Sequence, residues 1–165
     1  KLIYDQYLYL GLEETRSFME WNLLSQMHAL SLPVPVPIAA RVRQSGLIYQ
    51  ADLLTQEIPN VQSMGDKLRQ ELMTKELWQS IGQCLSKFHQ QGIAHKDLNI
   101  ENIQIDDNDK VFFLDFDKTR FSKSSPEILG ANLRRLRKSI LKLTLLRNQD
   151  FPEKGWIDLV SATSY

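Results

Sequence analysis

The chain has 165 residues, 42% of them hydrophobic, and its 20 Lys and Arg residues balance 20 Asp and Glu residues. This length supports one domain or two small lobes, since such a chain buries roughly 70% of its unfolded surface, and the even charge favours no particular class of partner. The single cysteine, Cys84, excludes an intrachain disulfide, and without a signal peptide or an apolar run of ~20 residues we expect a reducing cytoplasm.

Helical and extended patterns alternate through the first part of the chain. In order, the predicted elements are a helix over 15–30, an extended proline-rich segment over 32–37, strands over 38–42 and 47–54, a hinge over 55–59 and a short helix over 64–72. Phe18, Trp21 and Leu24 form the apolar stripe of the first helix, and Glu20 lies beside that stripe. We interpret this part of the chain as a small lobe that ends at the hinge.

A longer helix and a β-hairpin follow. Apolar residues at helical spacing predict a helix over 74–91, and Gly92 stands where a C-terminal cap belongs. Apolar and polar residues alternate over 102–105, and an apolar run covers 110–114, so both segments are predicted as strands. The acidic residues between them predict a turn.

The loop between that helix and the hairpin is the most informative segment. Residues 95–102 have the form H-x-D-L-x-x-x-N, and the hairpin then ends on D-F-D at 115–117. A phosphotransferase uses this residue set to position a hydroxyl group and to hold magnesium on ATP. Asp97 is suited to accept the hydroxyl proton, a role typically worth about 10²–10⁴ in rate.

Oxygen donors suitable for a metal ion accompany the predicted base. Asn102 offers an amide carbonyl oxygen and Asp115 a carboxylate, and both are hard ligands that suit magnesium. Three carboxylates in one cleft, those of Asp97, Asp115 and Asp117, would repel one another unless divalent cations were bound. The cluster therefore predicts a metal. His95 is expected to brace the loop rather than to contact the substrate.

The order of these elements resembles the protein-kinase-like superfamily. Particular strings resemble the lipopolysaccharide kinases that act on 3-deoxy-D-manno-octulosonic acid (Kdo). These strings are residues 7–18, the Pro-Val-x-x-Pro-Ile-Ala pattern within 32–40, and D-F-D at 115–117. The resemblance implies an α+β, two-lobed protein-kinase-like fold, with a small, here incomplete, β-rich N-terminal lobe over 1–57 and a mainly helical C-terminal lobe over 58–165.

The same resemblance implies an activity. It is ATP-dependent phosphate transfer to a sugar hydroxyl of Kdo in the lipopolysaccharide inner core (Kdo-lipid A), by a peripheral protein at the cytoplasmic face of the bacterial inner membrane. Carried over to this sequence, Asp97 is the base, Asn102 and Asp115 bind the Mg²⁺ of ATP, and backbone groups of the hinge around Glu57 pair with adenine. A heptose kinase, an aminoglycoside-type phosphotransferase and a catalytically inactive pseudokinase that serves as a binding module remain alternatives.

Several positions depart from the pattern of protein kinases. Asp117 replaces the glycine of D-F-G, and we interpret it as a second metal ligand, with contact to nearby basic side chains as the alternative. Glu20 is expected to pair with a phosphate-binding lysine, although a solvated helix carboxylate is also possible. Neither G-x-G-x-x-G nor G-x-x-x-x-G-K-[ST] occurs in the chain. Lys1 is a weak candidate for the phosphate-binding lysine. We therefore expect the phosphate-binding lysine, and the strands that would carry it, to lie outside the 165 residues of this sequence.

A basic amphipathic helix without acidic residues is predicted over 133–147. Its leucines, including Leu145 and Leu146, are expected in the core. Its arginines and lysines suit an anionic membrane surface or a phosphorylated or carboxylated substrate, and the alternative is that they only face water. Because no aromatic residues interleave with the basic ones, nucleic-acid binding is not expected.

Overall fold

The computed structural model describes residues 7–117, 119–122 and 125–163, and these residues form an α+β structure, as predicted. The elements in chain order are β1 (Tyr7–Leu8), α1 (Arg16–Ala29), β2 (Pro37–Ser45), β3 (Ile48–Thr55), β4 (Val61–Ser63), α2 (Met64–Arg69), α3 (Lys75–Gln90), β5 (Ile103–Asp106), β6 (Val111–Phe113), α4 (Pro126–Leu146) and α5 (Glu153–Ser161). Within the described ranges the strands make two three-stranded antiparallel sheets, ordered β1-β3-β2 and β4-β5-β6.

The first sheet is a long hairpin to which β1 adds an edge. The strand predicted over 38–42 was too short, because β2 pairs with β3 up to Ser45 opposite Ile48 and leaves only a tight turn. Gly46 supplies the positive φ of +62° that this turn needs. Tyr49 is buried in β3, and its hydroxyl accepts a hydrogen bond from the backbone N–H of Arg16 at 3.0 Å. This bond attaches the start of α1 to the sheet.

The predicted bounds of a helix agree best with the structure where capping residues mark both its start and its end. For α3 the hydroxyl of Thr74 accepts the N–H of Leu77 at 3.2 Å, and Gly92 ends the helix with a φ of +71°. The helix predicted over 64–72 stops earlier, at Arg69, and Glu71 adopts a left-handed φ of +59°. The basic helix begins at Pro126 rather than at 133, since proline suits the first turn.

The last helix, α5, was not predicted. It packs closely on α3 because two glycines permit the approach. A Cβ atom at Gly82 would lie 2.2 Å from the carbonyl oxygen of Leu159, and one at Gly155 would lie 2.3 Å from the ring of Trp78. The stability of α5 therefore comes from this tertiary contact rather than from its own sequence pattern.

One hydrophobic core joins α1 and the proline-rich segment to the rest of the described chain, and the partly buried Leu53 of β3 packs against it. Leu24 and Met27 of α1 and Val34 of the proline-rich segment belong to the same buried cluster as α3 and the second sheet. The carbonyl of Pro33 also accepts the N–H of Phe113 at 3.1 Å. The proline-rich segment thus connects the two sheets, and it turns at Pro33, where the N–H of Val34 donates to the carbonyl of Leu32 at 2.9 Å.

The prediction that all leucines of the basic helix are buried was wrong. Leu136 and Ile140 are fully buried, but Leu145 and Leu146 are each 77% exposed. The packing of α4 against the hydrophobic core ends with the partly buried Leu143, so Leu145 and Leu146 contribute nothing to it. Among the described residues, no helix is both long enough and apolar enough to cross a bilayer.

Acid is expected to destabilise the protein through His89, which is buried on α3 with Nε2 3.0 Å from Nδ2 of Asn132. Burial lowers the pKa of His89 from 6.5 to about 4. The unfolded chain then binds the proton more readily, so this contribution to stability is complete above pH 6.5 and is lost as the pH falls toward 4. Between pH 7.5 and pH 5 the free energy of unfolding should fall by about 2 kcal/mol from this residue alone.

Urea titrations at several pH values would measure this effect. The His89→Gln variant keeps a polar side chain but cannot take up a proton, so its unfolding free energy should lose about 2 kcal/mol less over the same pH interval. Equal pH slopes for the two proteins would contradict the assignment.

Candidate active site

The two motifs, which the β5–β6 hairpin separates in sequence, meet at Leu114. Its N–H donates to the carbonyl of Asn102 at 2.9 Å, and its carbonyl lies 2.8 Å from Nε2 of His95. Because Asp115 follows Leu114 directly, these two bonds hold Asp115 beside the loop that carries Asp97. The H-x-D-L-x-x-x-N loop and Asp115 are therefore held next to each other through these contacts.

His95 braces this site, as predicted. It is buried, and its Nδ1 accepts the backbone N–H of Asp97 at 3.2 Å while Nε2 donates to Leu114. Burial is the main cause that lowers its pKa, so the ring is neutral at pH 7. The ring also packs on Phe116 with 4.8 Å between centroids, and Phe116 in turn stacks on Phe88 at 5.7 Å.

Asp97 presents a free carboxylate. The residue is exposed, and its backbone carbonyl accepts the side-chain amides of Asn99 and Asn102, each at 3.0 Å. Within the described ranges no hydrogen bond or ion pair engages its side-chain oxygens. The loop is thus held through its backbone, which leaves the carboxylate able to accept a proton.

Asn102 and Asp115 both carry oxygen donors, and the bond from Leu114 to Asn102 brings their backbones close together. Since the amide nitrogen of Asn102 donates to Asp97, its Oδ1 is left for a ligand. The predicted cluster of three carboxylates was wrong: in the part of the chain that the structure describes, no three His, Cys, Asp or Glu residues are placed to hold a metal ion, and Asp117 pairs with Arg16. This donor set fits magnesium on a nucleotide, because Mg²⁺ usually takes one or two protein oxygens, with phosphates and water completing its shell.

Asp117 makes an ion pair with Arg16 at the start of α1. The Nε of Arg16 lies 3.1 Å from Oδ1 of Asp117, and Nη2 contacts Oδ2. The hydrogen bond to Asp117 is the main cause that raises the pKa of Arg16. The arrangement seen is therefore the alternative that the sequence left open, in which Asp117 contacts a basic side chain.

Glu20 projects from α1 into a cavity of about 570 Å³ that Asp117 and Phe116 also line. Burial is the main cause that raises the pKa of Glu20, and the charges of Asp115 and Asp117 raise it further. The backbone N–H of Phe116 and the charge of Arg16 act in the opposite direction. A carboxylate in this position favours a cationic partner, and its pairing with a phosphate-binding lysine stays a prediction.

Two further residues were candidates for contact with the nucleotide, Glu57 and Lys1. Glu57 is exposed in the connection between β3 and β4, where the preceding Gln56 donates its N–H to Val36 at 2.8 Å. Lys1, the weak candidate for the phosphate-binding lysine, lies outside the described residues.

Sequence reasoning missed the side chains of α2 and its N-cap that contact the H-x-D-L-x-x-x-N loop. Glu101 accepts from Nη2 of Arg69 at 2.5 Å, and Arg69 also donates to Asp66 at 2.9 Å. Ser63, the N-cap of α2, lies 2.9 Å from both carboxylates. The Ser-x-x-Asp spacing of this cap was the only signal available, and it indicates a helix start rather than a contact with the loop. On the opposite side, Ser139 of α4 accepts the N–H of Ile100 at 3.2 Å.

The Arg16–Asp117 pair is expected to couple α1 to the D-F-D turn. In a double-mutant cycle of Arg16→Gln and Asp117→Asn, the coupling in unfolding free energy should be about 1 kcal/mol, because the pair is only partly buried. Asp117→Asn should leave the magnesium requirement for ATP binding unchanged. Additive effects on stability, together with a raised magnesium requirement, would instead indicate a second metal ligand.

Comparison with known proteins identifies the class of protein: it is a kinase, a phosphotransferase. The chain belongs to the lipopolysaccharide kinase (Kdo/WaaP) family, whose model matches residues 1–163.

Three relatives named 3-deoxy-D-manno-octulosonic acid kinase show how far the similarity extends. The chain is 42% identical over 164 residues to the one from Vibrio parahaemolyticus, covering 99% of this chain and 68% of that protein. It is 42% identical over 167 residues to the one from Haemophilus influenzae, covering 98% and 69%. It is 41% identical over 142 residues to the one from Vibrio cholerae, covering 86% and 60%.

Proposed function

We propose that the protein transfers the terminal phosphoryl group of ATP to a hydroxyl of Kdo in the lipopolysaccharide inner core. The names of its relatives support Kdo as the acceptor. The observation that carries the proposal is the pair of hydrogen bonds at Leu114, which hold Asp115 against the loop of Asp97 and Asn102. A phosphotransferase needs these three groups close together.

Each of these residues has a distinct role in the proposal. The carboxylate of Asp97 aligns the acceptor hydroxyl and accepts its proton. Asn102 and Asp115 hold the Mg²⁺ of ATP, which neutralises charge on the phosphates when bound. Glu20 orients a cationic group that contacts the phosphates, and the backbone around Glu57 faces the adenine.

The two-lobed, protein-kinase-like arrangement belongs to the same proposal. The first sheet and α1 correspond to the N-terminal lobe over 1–57, and the second sheet with the remaining helices to the C-terminal lobe over 58–165. The hinge predicted over 55–59 corresponds to the connection over 56–60, because Thr55 belongs to β3. ATP would bind between the lobes, at the edge where Asp115 is exposed.

We also place the protein at the cytoplasmic face of the inner membrane, as a peripheral protein. The exposed Leu145 and Leu146 at the end of the basic helix support this location, because apolar side chains beside cationic ones favour an anionic membrane surface. Sedimentation with vesicles of anionic phospholipid tests it. Protein that stays in the supernatant at low salt would contradict it.

An acceptor panel tests the activity. The protein, with ATP and Mg²⁺, is incubated with Kdo-lipid A, with a heptose-containing acceptor and with an aminoglycoside, and transfer of labelled phosphate is measured. Phosphorylation of Kdo-lipid A alone supports the proposal, and preference for heptose indicates the neighbouring activity. Nucleotide binding without transfer to any acceptor would indicate a pseudokinase.

A further inference from the structure

A groove of about 510 Å³ lies directly beside the predicted base. The loop residues Asp97, Leu98 and Asn99 form one wall, and α4 forms the other. This groove is separate from the cavity that contains Glu20. It has the volume of a small-ligand site.

Three cations of α4 line the groove: Arg135, Lys138 and Lys142. Their spacing of three and four residues places them on one face of the helix. None of them makes an ion pair with an acidic residue within the described ranges. Arg137, on another face, lies 3.6 Å from the carboxylate of Glu153 and stacks over an aromatic ring.

The position of these cations relative to Asp97 is fixed by the fold. Ser139 lies between Lys138 and Lys142 on α4. Its hydroxyl accepts the N–H of Ile100, in the H-x-D-L-x-x-x-N loop, at 3.2 Å. The fully buried Leu136 and Ile140 anchor the same stretch of α4 in the core. The groove is therefore a preformed space with a free carboxylate on one wall and unpaired positive charge on the other.

We propose that this groove is the acceptor site and that it binds a saccharide carrying a carboxylate or phosphate group. This inference rests on the proposed function and specifies where the acceptor binds. The cations hold the anionic group of the saccharide, which places a hydroxyl beside Asp97. The hydroxyl oxygen then bonds to the terminal phosphorus of ATP, the bond from that phosphorus to the oxygen of ADP breaks, and the proton passes to Asp97.

The apolar residues of the groove extend the match. Leu98 on the loop wall is only 1% exposed, so the apolar surface comes from Leu141 and the exposed Leu145 on the helix wall. Such surfaces suit the carbon face of a sugar ring, and toward Leu145 they suit an attached acyl chain. A neutral saccharide would gain the apolar contact but leave the cations unpaired.

Charge-removing variants of α4 test the site. Lys138→Gln and Lys142→Gln are chosen because both side chains are exposed, so the fold should be kept. Each should raise the KM for an anionic acceptor about 10-fold, since charge-assisted hydrogen bonds are among the stronger polar contacts. The KM for ATP should not change. Arg134→Gln is the matched control, because Arg134 is an exposed cation on α4 that does not line the groove.

Acceptor chemistry provides a second comparison. A soluble Kdo saccharide and lipid-linked Kdo should both lose affinity in the Lys138→Gln/Lys142→Gln variant, whereas a neutral sugar acceptor should not. A loss confined to the lipid-linked acceptor would show that α4 contacts the membrane rather than the sugar, and would overturn the proposal. An unchanged acceptor KM in the double variant would overturn it as well.

Binding without nucleotide separates this inference from the proposed activity. Calorimetry with the soluble Kdo saccharide should show binding to the unaltered protein and to Arg134→Gln, and at least about 10-fold weaker binding to the double variant. That result would support the groove even if no phosphate transfer were detected. Equal binding to all three proteins would contradict it whatever the activity.

Discussion

Asp97→Asn should lower kcat by about 10²–10⁴ while the KM for ATP stays near its original value. The amide keeps the size of the side chain but cannot accept the hydroxyl proton. The loop should survive the change, because it is held through the backbone: the N–H of residue 97 donates to His95, and its carbonyl accepts from Asn99 and Asn102. Steady-state kinetics with ATP and acceptor varied separately would measure both constants.

Asp107→Asn is the matched control for this substitution. Asp107 is an exposed aspartate in the turn of the β5–β6 hairpin. The same chemical change there should leave kcat unaltered. If Asp97→Asn retained turnover within a few-fold of the unaltered protein, Asp97 would not be the base, and the hydroxyl would lose its proton elsewhere.

The parts of the fold that could be predicted carry their signals locally. α3 has a Thr74 cap at one end and Gly92 at the other, and its apolar residues keep a regular helical spacing between them. The β5–β6 hairpin is likewise bounded by the acidic turn and by D-F-D. In both cases neighbouring residues alone decide where the element begins and ends.

The missed elements depend on distant partners. β1 and β4 are two and three residues long, and they exist as strands because Tyr7 pairs with Tyr49 and Val61 pairs with Asp106. The α5 helix depends on close packing against α3. No pattern within such short segments distinguishes them from loops, since pairing and burial decide their structure.

In the candidate site, too, some contacts are set within one loop and others join residues that are distant in sequence. The spacing from Asp97 to Asn102 is set within one loop, so the motif shows it directly. The ion pair of Arg16 with Asp117 joins residues 101 positions apart, and the groove depends on a bond between Ile100 and Ser139 across 39 positions. Sequence reasoning found the basic helix, but the structure was needed to show which of its cations lie beside Asp97.

Asp115→Asn should weaken magnesium-dependent ATP binding by at least about 10-fold, with the largest loss at low magnesium concentration. Asparagine is preferred to alanine because residue 115 has a left-handed φ of +60°, a conformation that Asp and Asn tolerate better than other side chains. The substitution thus removes the charge without straining the turn. Leu114 keeps both of its backbone bonds in the variant, so Asn102 and His95 should stay in place.

Measuring ATP binding at a fixed ATP concentration while Mg²⁺ is titrated distinguishes a metal ligand from a residue with a purely structural role. Asp109→Asn is a close control, since Asp109 is an exposed aspartate with a left-handed φ of +58° and lies in the hairpin turn. If Asp115 is a metal ligand, Asp115→Asn should need more Mg²⁺ for half-maximal ATP binding, and Asp109→Asn should not. If both variants bound ATP with the same magnesium dependence as the unaltered protein, the carboxylate of Asp115 would not hold the metal, and the donors would have to be sought elsewhere around Asn102.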